Sequence, residues 1–331
     1  MNSFGNHFRV QIFGESHGAC VGILIDGVPA GLSLTEDNFL PDLVRRKGGI
    51  QKGTTPREET DIPILKSGIF KGKTTGAPLT ILFENNNVKS EDYEKLRAIP
   101  RPGHADWVAH QKYGGHEDYR GSGHFSARLT TGVVAAGVIA KMLMPTISIA
   151  SNVISIGGNT NVEEGLQNAI ERNDSVGGII ECRVNGLSAG LGEPYFNSLE
   201  SMLSSIMFSI PAVRGIEFGT GFSAAGMYGS EHNDAIISED GKTKTNHAGG
   251  IVGGISNGNE LVFRLAIKPA SSTPQKQQSI NWETGQMVDF NIEGRHDLCV
   301  ALRAPVIVEA ATAIVLADCM MYEQLIPRVI R

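Results

Sequence analysis

Cysteine is scarce: Cys20, Cys182, Cys299 and Cys319 are the four in 331 residues, and they form neither a CxxC pair nor any ligand spacing. That excludes a zinc site and a disulfide framework and predicts reduced thiols in a cytoplasmic protein. Aromatic residues are only 6% of the chain and acidic residues outnumber basic ones 35 to 29, whereas a nucleic-acid binder calls for a basic domain with interleaved aromatics. No apolar run crosses a membrane's thickness without a charge, because the two most apolar segments carry Lys141 and Glu309 near their middles. The opening MNSFGNHFRVQIFGESHG lacks the apolar core of a signal peptide. The dinucleotide fingerprint GxGxxG is missing among the glycines of 249–258. Gly72, Lys73 and Thr74 lack the first glycine of a P-loop, with Ser67 in its place. The expectation is a protein with no nucleic-acid partner, no membrane and no metal.

What is abundant is glycine, 40 of 331 or about 12%, against an average of ~7%. With no three-residue period, the excess indicates tight turns and close backbone approaches. Much of it falls in an internal duplication. ILIDGVPAGL (23–32) matches CRVNGLSAGL (182–191), and GIFKGKTTGAPLTI (68–81) matches GIVGGISNGNELVF (250–263). A long apolar helix candidate closes each series, at 126–143 and 304–321, which divides one domain of 1–331 into halves of roughly 1–145 and 146–331. Strand-like RVQIF, VGILIDG, PLTILFE, GGIIECRVNG and LVFRLAIK pair as antiparallel hairpins. GVVAAGVIAKML and IVEAATAIVLADCMM are apolar on more than one face and are therefore buried on both sides. The predicted architecture is an α+β, β-α-β sandwich: a helical layer between antiparallel sheets, with pseudo-twofold symmetry.

Charge is unevenly divided. Residues 40–130 hold 15 Lys and Arg against 11 Asp and Glu, and the remainder is strongly acidic, so a local positive field favours an anionic small ligand. Within this stretch lies PRPGHAD (100–106), where Pro and Gly fix a turn while Arg101, His104 and Asp106 supply cation, acid/base and orienting carboxylate. Arg295, His296 and Asp297 repeat that chemistry before the last helix. Arg45, Arg46, Lys47, Lys52 and Arg57 form a glycine-interrupted cationic group, and KPASS (268–272) joins a cation to hydroxyls. Both suit phosphate or carboxylate, and a solvated basic loop is the plain alternative. His17 sits in a glycine-flanked turn. Gly14 to Gly18 also spell GxSxG, which leaves open a hydrolase using Ser16, although the nucleophile elbow needs a strand, a turn and a helix. A non-enzymatic anion-binding module would also use glycines and cations.

FGESHG (13–18), DGVPAGL (26–32), RRKGG (45–49), SGIFKGKTTGAP (67–78), RPGHAD (101–106), DYRGSG (118–123), NHAGGIVGGISNG (246–258), KPASS (268–272) and GRHD (294–297) occur in order, and on them the chain resembles the chorismate synthase family over nearly its full length. The resemblance implies a lyase of aromatic amino-acid biosynthesis, dependent on reduced FMN, that converts 5-enolpyruvylshikimate 3-phosphate to chorismate by anti-1,4-elimination of phosphate. It also implies a cytoplasmic homotetramer, with FMN reduced by an external reductant or reductase.

Residue by residue, the resemblance gives His17 the protonation or stabilisation of the leaving phosphate, His104 the protonation of the reduced flavin and Asp297 the assistance of flavin N5 as it accepts the C6 proton, supported by Ser16 and Ser126. Substrate charges fall to Arg46, Lys52, Arg57, Arg101 and Arg128. Flavin contacts fall to His124, Phe125, Ser126, Pro211, Ala212, Gly253, Lys268, Pro269, Ala270, Ser271, Ser272 and Arg295. The chain departs from the family where HFSARLT (124–130) stands for the more usual ArgSerSerAlaArgGluThr, and where Lys52 replaces an arginine and loses its bidentate fork.

Overall fold

The computed structural model describes residues 2–49, 52–55, 60–86, 97–292 and 296–331. Period-two alternation gives each long strand one apolar face. In β3 (Cys20–Asp26) the buried face is Val21, Ile23 and Ile25, and in β7 (Leu79–Glu84) it is Leu79, Ile81 and Phe83. Both lie in an antiparallel sheet ordered β1 (Ser3–Phe4), β2 (Arg9–Gly14), β3, β7, β4 (Ile64–Ser67). The second sheet is ordered β8 (Ser148–Ile156), β9 (Gly178–Asn185), β13 (Leu261–Ile267), β10 (Val213–Phe218). Ile180, Cys182 and Val184 of β9 and Leu261, Phe263 and Leu265 of β13 face its core side.

From β2 onward the first sheet runs β2-β3-β7-β4 and the second β8-β9-β13-β10, so both follow the order first, second, fourth, third. A short hairpin precedes the fourth strand of each: β5 (Ile69–Phe70) with β6 (Lys73–Thr74), and β11 (Ile251–Val252) with β12 (Ile255–Ser256). The matched sequence segments make matched contacts here. The Leu32 amide donates to Thr74 Oγ1 at 2.9 Å and the Leu191 amide to Ser256 Oγ at 2.9 Å. The Gly31 and Gly190 amides donate to the carbonyls of Thr74 and Ser256, each at 2.9 Å. A further hairpin, β14 (Gln277–Asn281) with β15 (Gln286–Phe290), follows the second sheet in sequence.

Among the described residues the α-helices are α1 (Leu40–Arg46), α2 (Asp106–Tyr113), α3 (Thr130–Leu143), α4 (Val162–Arg172), α5 (Leu199–Met207), α6 (Gly229–His232) and α7 (Pro305–Tyr322). Between the sheets, α3 packs on β3 and β7, α7 packs on β8 and β9, and the two helices pack on each other. This is the predicted buried helical layer. Every residue of α7 from 306 to 319 is buried, which explains a helix apolar all round. Among the described residues α7 is long and apolar enough to cross a membrane, yet it lies inside the layer. α3 begins at Thr130, later than the expected 126, because the Ser126 side chain accepts the Arg128 amide and caps a separate 3₁₀ turn over Ala127–Leu129. Gly137 lets the helices touch: a Cβ there would lie 2.3 Å from Ala310 Cβ.

The two acids of α7 are paired at its surface toward the rest of the layer. Glu309 takes both Arg45 Nη atoms at 2.7 Å, Lys141 Nζ at 3.2 Å and the Ser151 amide at 3.1 Å. Asp318 Oδ1 accepts the amides of Asn6, His7 and Phe8 at 3.0, 2.6 and 2.8 Å. At the other edge the Ala30 amide donates to the Arg328 carbonyl at 3.0 Å, and the Ile330 amide to the Ala30 carbonyl at 2.8 Å.

Candidate active site in a basic cleft

A cleft of about 1000 Å³ opens between segments of both halves of the chain. Of the residues singled out in the sequence, Arg46, Arg101, His104, His124, Phe125, Ser126, Arg128, Pro211, Ala212, Lys268, Pro269, Ala270, Ser271, Ser272 and Asp297 line it. Residues up to 130 supply most of the cations and His104, while 268–272 and 296–303 supply the opposite wall.

The turn before α2 builds an ion-paired triad. Arg101 donates from Nε to Asp106 Oδ2 at 2.7 Å and from Nη2 to Oδ1 at 2.8 Å, while its own amide also meets Oδ2 at 3.0 Å. His104 Nδ1 lies 2.6 Å from Asp106 Oδ1, and Nε2 lies 3.2 Å from Ser122 Oγ. Burial would raise the Asp106 pKa, but hydrogen bonds from Arg101 and His104 outweigh it and hold the carboxyl well below its usual range. An ionised Asp106 accepts, so Nδ1 carries the hydrogen of neutral His104. Arg101, assigned to substrate by the resemblance, is spent largely on Asp106 and also donates to Ser272 Oγ at 3.2 Å.

A second network fixes the cationic floor. Asp61 accepts from Arg46 Nη2 at 2.8 Å and closely from Arg128 Nη1. Arg128 also donates to Asn85 Oδ1 at 3.1 Å and to the Glu84 carbonyl at 3.2 Å. Burial pushes the Arg46 pKa down to about 10 against the attraction of Asp61, which leaves the guanidinium charged at neutral pH. Burial opposes ionisation of Asp61 too, but Arg46 and Arg128 hold its pKa at about 2. Arg46 Nε is buried with no hydrogen-bond partner, a cationic donor in the wall of an anion-sized cleft. Asp297 is held by the Thr55 amide at 2.8 Å and by Arg303 Nη1 at 3.0 Å, and Arg303 Nε caps the Arg46 carbonyl at 3.0 Å.

The 268–272 segment is fastened across the cleft. Lys268 Nζ donates to Gly103 O at 3.0 Å and to Ser271 Oγ at 2.7 Å, and Ser271 Oγ donates to Gly103 O at 2.8 Å. Burial, with Arg214 nearby, lowers the Lys268 pKa. Ala212 carries a left-handed backbone, φ 74°, and its carbonyl accepts the Lys268 amide at 2.9 Å. His124 Nδ1 donates to the Gly14 carbonyl at 2.8 Å, so its ring is tied to the turn after β2.

Several expected site residues stand elsewhere. Ser16 and His17 are buried behind Gly121: a Cβ on Gly121 would fall 2.4 Å from His17 Cδ2 and 2.8 Å from Ser16 Oγ. Ser16 Oγ is buried without a hydrogen-bond partner, and its turn joins two antiparallel strands. That removes the hydrolase reading, which needs an exposed, base-activated hydroxyl at a strand-to-helix turn. Lys52 points to α4, with Nζ 3.2 Å from Gln167 Oε1, and is exposed outside the cleft lining. Gly253 occupies the exposed turn of the β11–β12 hairpin, which the Ser256 clasp fastens away from the cleft. Arg57 and Arg295 lie outside the described residues. Asp61, Ser122 and Arg303 are site residues that sequence reasoning did not select, whereas His296, read with Arg295 and Asp297 as a repeat of the first turn's chemistry, lines the cleft. Asp61 offered no signal, since its role depends on a left-handed φ of 48° that aims it at two distant arginines.

The family model for chorismate synthase matches residues 8–321. A chorismate synthase of Chitinophaga pinensis is 61% identical over 332 residues, covering all of both chains. The chorismate synthase of Archaeoglobus fulgidus is 41% identical over 359 residues, covering 99% of each. A solved structure described as a crystal structure of chorismate synthase superposes with a TM-score of 0.72 at 26% identity, covering 96% of this chain and 93% of that one.

Proposed function

The chain belongs to the chorismate synthase family, and from that premise we propose how its cleft performs the reaction: 1,4-elimination of phosphate from 5-enolpyruvylshikimate 3-phosphate to give chorismate. The protein is thus a carbon–oxygen lyase of the shikimate pathway, serving aromatic amino-acid biosynthesis. A substrate with one phosphate and two carboxylates suits the basic floor. Arg46 offers its unpartnered Nε, and Arg128, locked by Asp61, Asn85 and Glu84, holds that floor in place. Preorganised cations of this kind lose little freedom when the anion arrives.

Proton handling falls to three groups. His104 takes up and gives its proton at Nε2, because Asp106 keeps the hydrogen on the other nitrogen. Asp297, held as a fixed carboxylate by the Thr55 amide and Arg303, would assist flavin N5 in taking the proton from C6. Gly121, which lines the cleft, lies against the His17 ring, where a Cβ would fall 2.4 Å from Cδ2, and its missing side chain leaves space through which His17 would meet the leaving phosphate. Ser16 and Ser126 support these groups, Ser126 from the cap of the turn that carries Arg128.

Reduced FMN is the cofactor of this reading. The size of the cleft, its apolar wall of Ile206, Ile210, Pro211 and Val300, and the cations Lys268 and Arg214 fit a flavin ring and its phosphate tail. Ser126, Ala212, Pro211 and residues 268–272 would hold it, with His124 and Phe125 at the edge; when bound it supplies a transient electron that eases departure of phosphate, with no net redox change. An external reductant or reductase keeps it reduced.

The chain acts as a single domain of 1–331 built from two fused halves, a reading favoured by their common strand order. It functions in the cytoplasm as a homotetramer. Tyr195, Phe196, Phe222, Tyr228, Ile236 and Ile237, all exposed on the second half, are the surface such an assembly would cover. The observation that carries the catalytic reading is the meeting of the His104–Asp106–Arg101 and Asp297–Arg303 groups in one cationic cleft. An anaerobic assay with chemically reduced FMN and the phosphorylated enolpyruvyl substrate tests it: chorismate and phosphate should appear in equal amounts, and their absence rejects it. His17→Ala and His104→Ala should each lower turnover ~10²- to 10⁴-fold.

A further inference from the structure

The two nitrogens of His104 are not equivalent. Nδ1 is committed to the ionised Asp106, so Nε2 is the position that gains and loses a proton, and the polar group beside it is Ser122 Oγ at 3.2 Å. That same oxygen accepts from Arg101 Nη2 at 3.2 Å. Ser122 reaches this point at a cost in backbone conformation. Its φ is 70°, between Gly121 at 56° and Gly123 at 50°, a left-handed run in which glycine is the unstrained residue. Ser122, His104 and Arg101 line both the main cleft and a smaller cavity of about 340 Å³ behind them, so the hydroxyl stands where His104 meets solvent-accessible space.

We propose that Ser122 is the positioning residue for His104: its hydroxyl orients Nε2 and relays the proton between that nitrogen and the cleft. This rests on the reading of His104 as a proton carrier. In the relay the Nε2–H bond breaks as an O–H bond forms on Ser122, while the hydroxyl's own hydrogen passes to the acceptor in the cleft. The reverse sequence reloads the imidazole, and no electrons are exchanged. A hydroxyl suits the task because it donates to a bare Nε2 and accepts from a protonated one, and Arg101 occupies only one of its lone pairs.

The titratable groups facing this imidazole are Arg101 and Asp106 on its own turn, His296 from the segment before α7, and His110, Glu117 and Asp118 around the smaller cavity. Of the bonds made by the two protonation states, the one from a cationic Nε2–H to Oγ is the stronger. Loss of the hydroxyl therefore disfavours the imidazolium.

Ser122→Ala and Ser122→Gly both delete the hydroxyl but act oppositely on the backbone, since glycine relaxes a φ of 70° and alanine does not. Both variants should lose about 10- to 100-fold in kcat with the substrate KM within about twofold. In histidine-labelled protein, with the His104 resonance assigned by His104→Asn, the NMR titration of His104 should move about half to one pH unit lower in both. Parent-like titration and turnover in Ser122→Gly, or an effect confined to Ser122→Ala, would overturn the proposal. If the parent protein formed no chorismate, the functional reading would fall, while the titration would still decide whether Ser122 holds Nε2.

Discussion

Replacing Gly137 with alanine sets two helix rules against each other. In an exposed helix the change gains about 1 kcal/mol, because glycine has the greater backbone freedom to lose. At the α3–α7 crossing the new methyl would sit 2.3 Å from Ala310 Cβ, 2.4 Å from its Cα and 3.0 Å from its carbonyl oxygen, where ordinary contact begins near 3.4 Å. None of these atoms can swing aside, as a flexible side chain could, so the helices must part by about 1 Å and loosen a layer packed at crystalline density. Overpacking of this kind costs about 1–3 kcal/mol, and rigid neighbours place it at the upper end, for a net loss of about 1–2 kcal/mol. Unfolding entropy of ~2.1 cal/mol/K per residue converts that loss into about 1.5–3 °C of Tm for a chain of 331 residues. Urea titration at fixed protein concentration, followed by far-UV circular dichroism, should show a lower midpoint with an unchanged slope. Adding Ala310→Gly moves the vacant space to the other helix and should recover most of the loss, a coupling of about 1–3 kcal/mol. A Gly137→Ala protein as stable as its parent would refute the reasoning.

Acid should weaken the protein through Asp61. Its folded pKa of about 2 lies below the ordinary 3.8, so its contribution is complete above the ordinary value and fades as pH falls from about 5 through 2, amounting to about 2 kcal/mol. Urea midpoints measured between pH 5 and pH 3 should carry this slope, and Asp61→Asn should flatten it. Burial pushes the thiols of Cys182 and Cys319 up to about 12 and raises that of Cys299, whereas Cys20 is half-exposed. A disulfide-exchange reagent at pH 8 should therefore titrate one thiol quickly and the other three only in denaturant, and a second fast thiol would contradict the packing. Asp318→Ala strands the amides of Asn6, His7 and Phe8 and should cost about 3 kcal/mol by the same urea measurement, with Asp318→Asn costing less because it keeps one acceptor.

The repeated strand-turn segments were legible because paired glycines and leucines, Gly31 with Gly190 and Leu32 with Leu191, serve one local geometry twice. The helical layer was legible because a helix buried on both sides has no polar face to hide. His104 and its partners could be found since Arg101, His104 and Asp106 are neighbours in one turn. The floor of the cleft could not: Arg46, Asp61 and Arg128 are joined only by tertiary placement, and the decisive bond depends on the left-handed backbone at Asp61. Lys52 and Gly253 show the opposite limit. Residue type suited them to the site, but the loops carrying them are fastened elsewhere, to α4 and to the 188–191 turn.

Asp318 and the strand-like pairing at Ala30 also set a timetable. Asp318 meets amides more than 300 positions earlier in the chain, and Ala30 exchanges hydrogen bonds with Arg328 and Ile330. The ribosome therefore releases the first sheet long before its closing partners exist. From residue 143 onward α3 can cover part of that sheet's apolar face, but the amides of Asn6, His7, Phe8 and Ala30 stay open until residues 318–330 are made, so the fold is completed late and slowly, in line with contacts of such long sequence separation. During that interval the nascent first half is the form of this protein most exposed to aggregation and most in need of a chaperone.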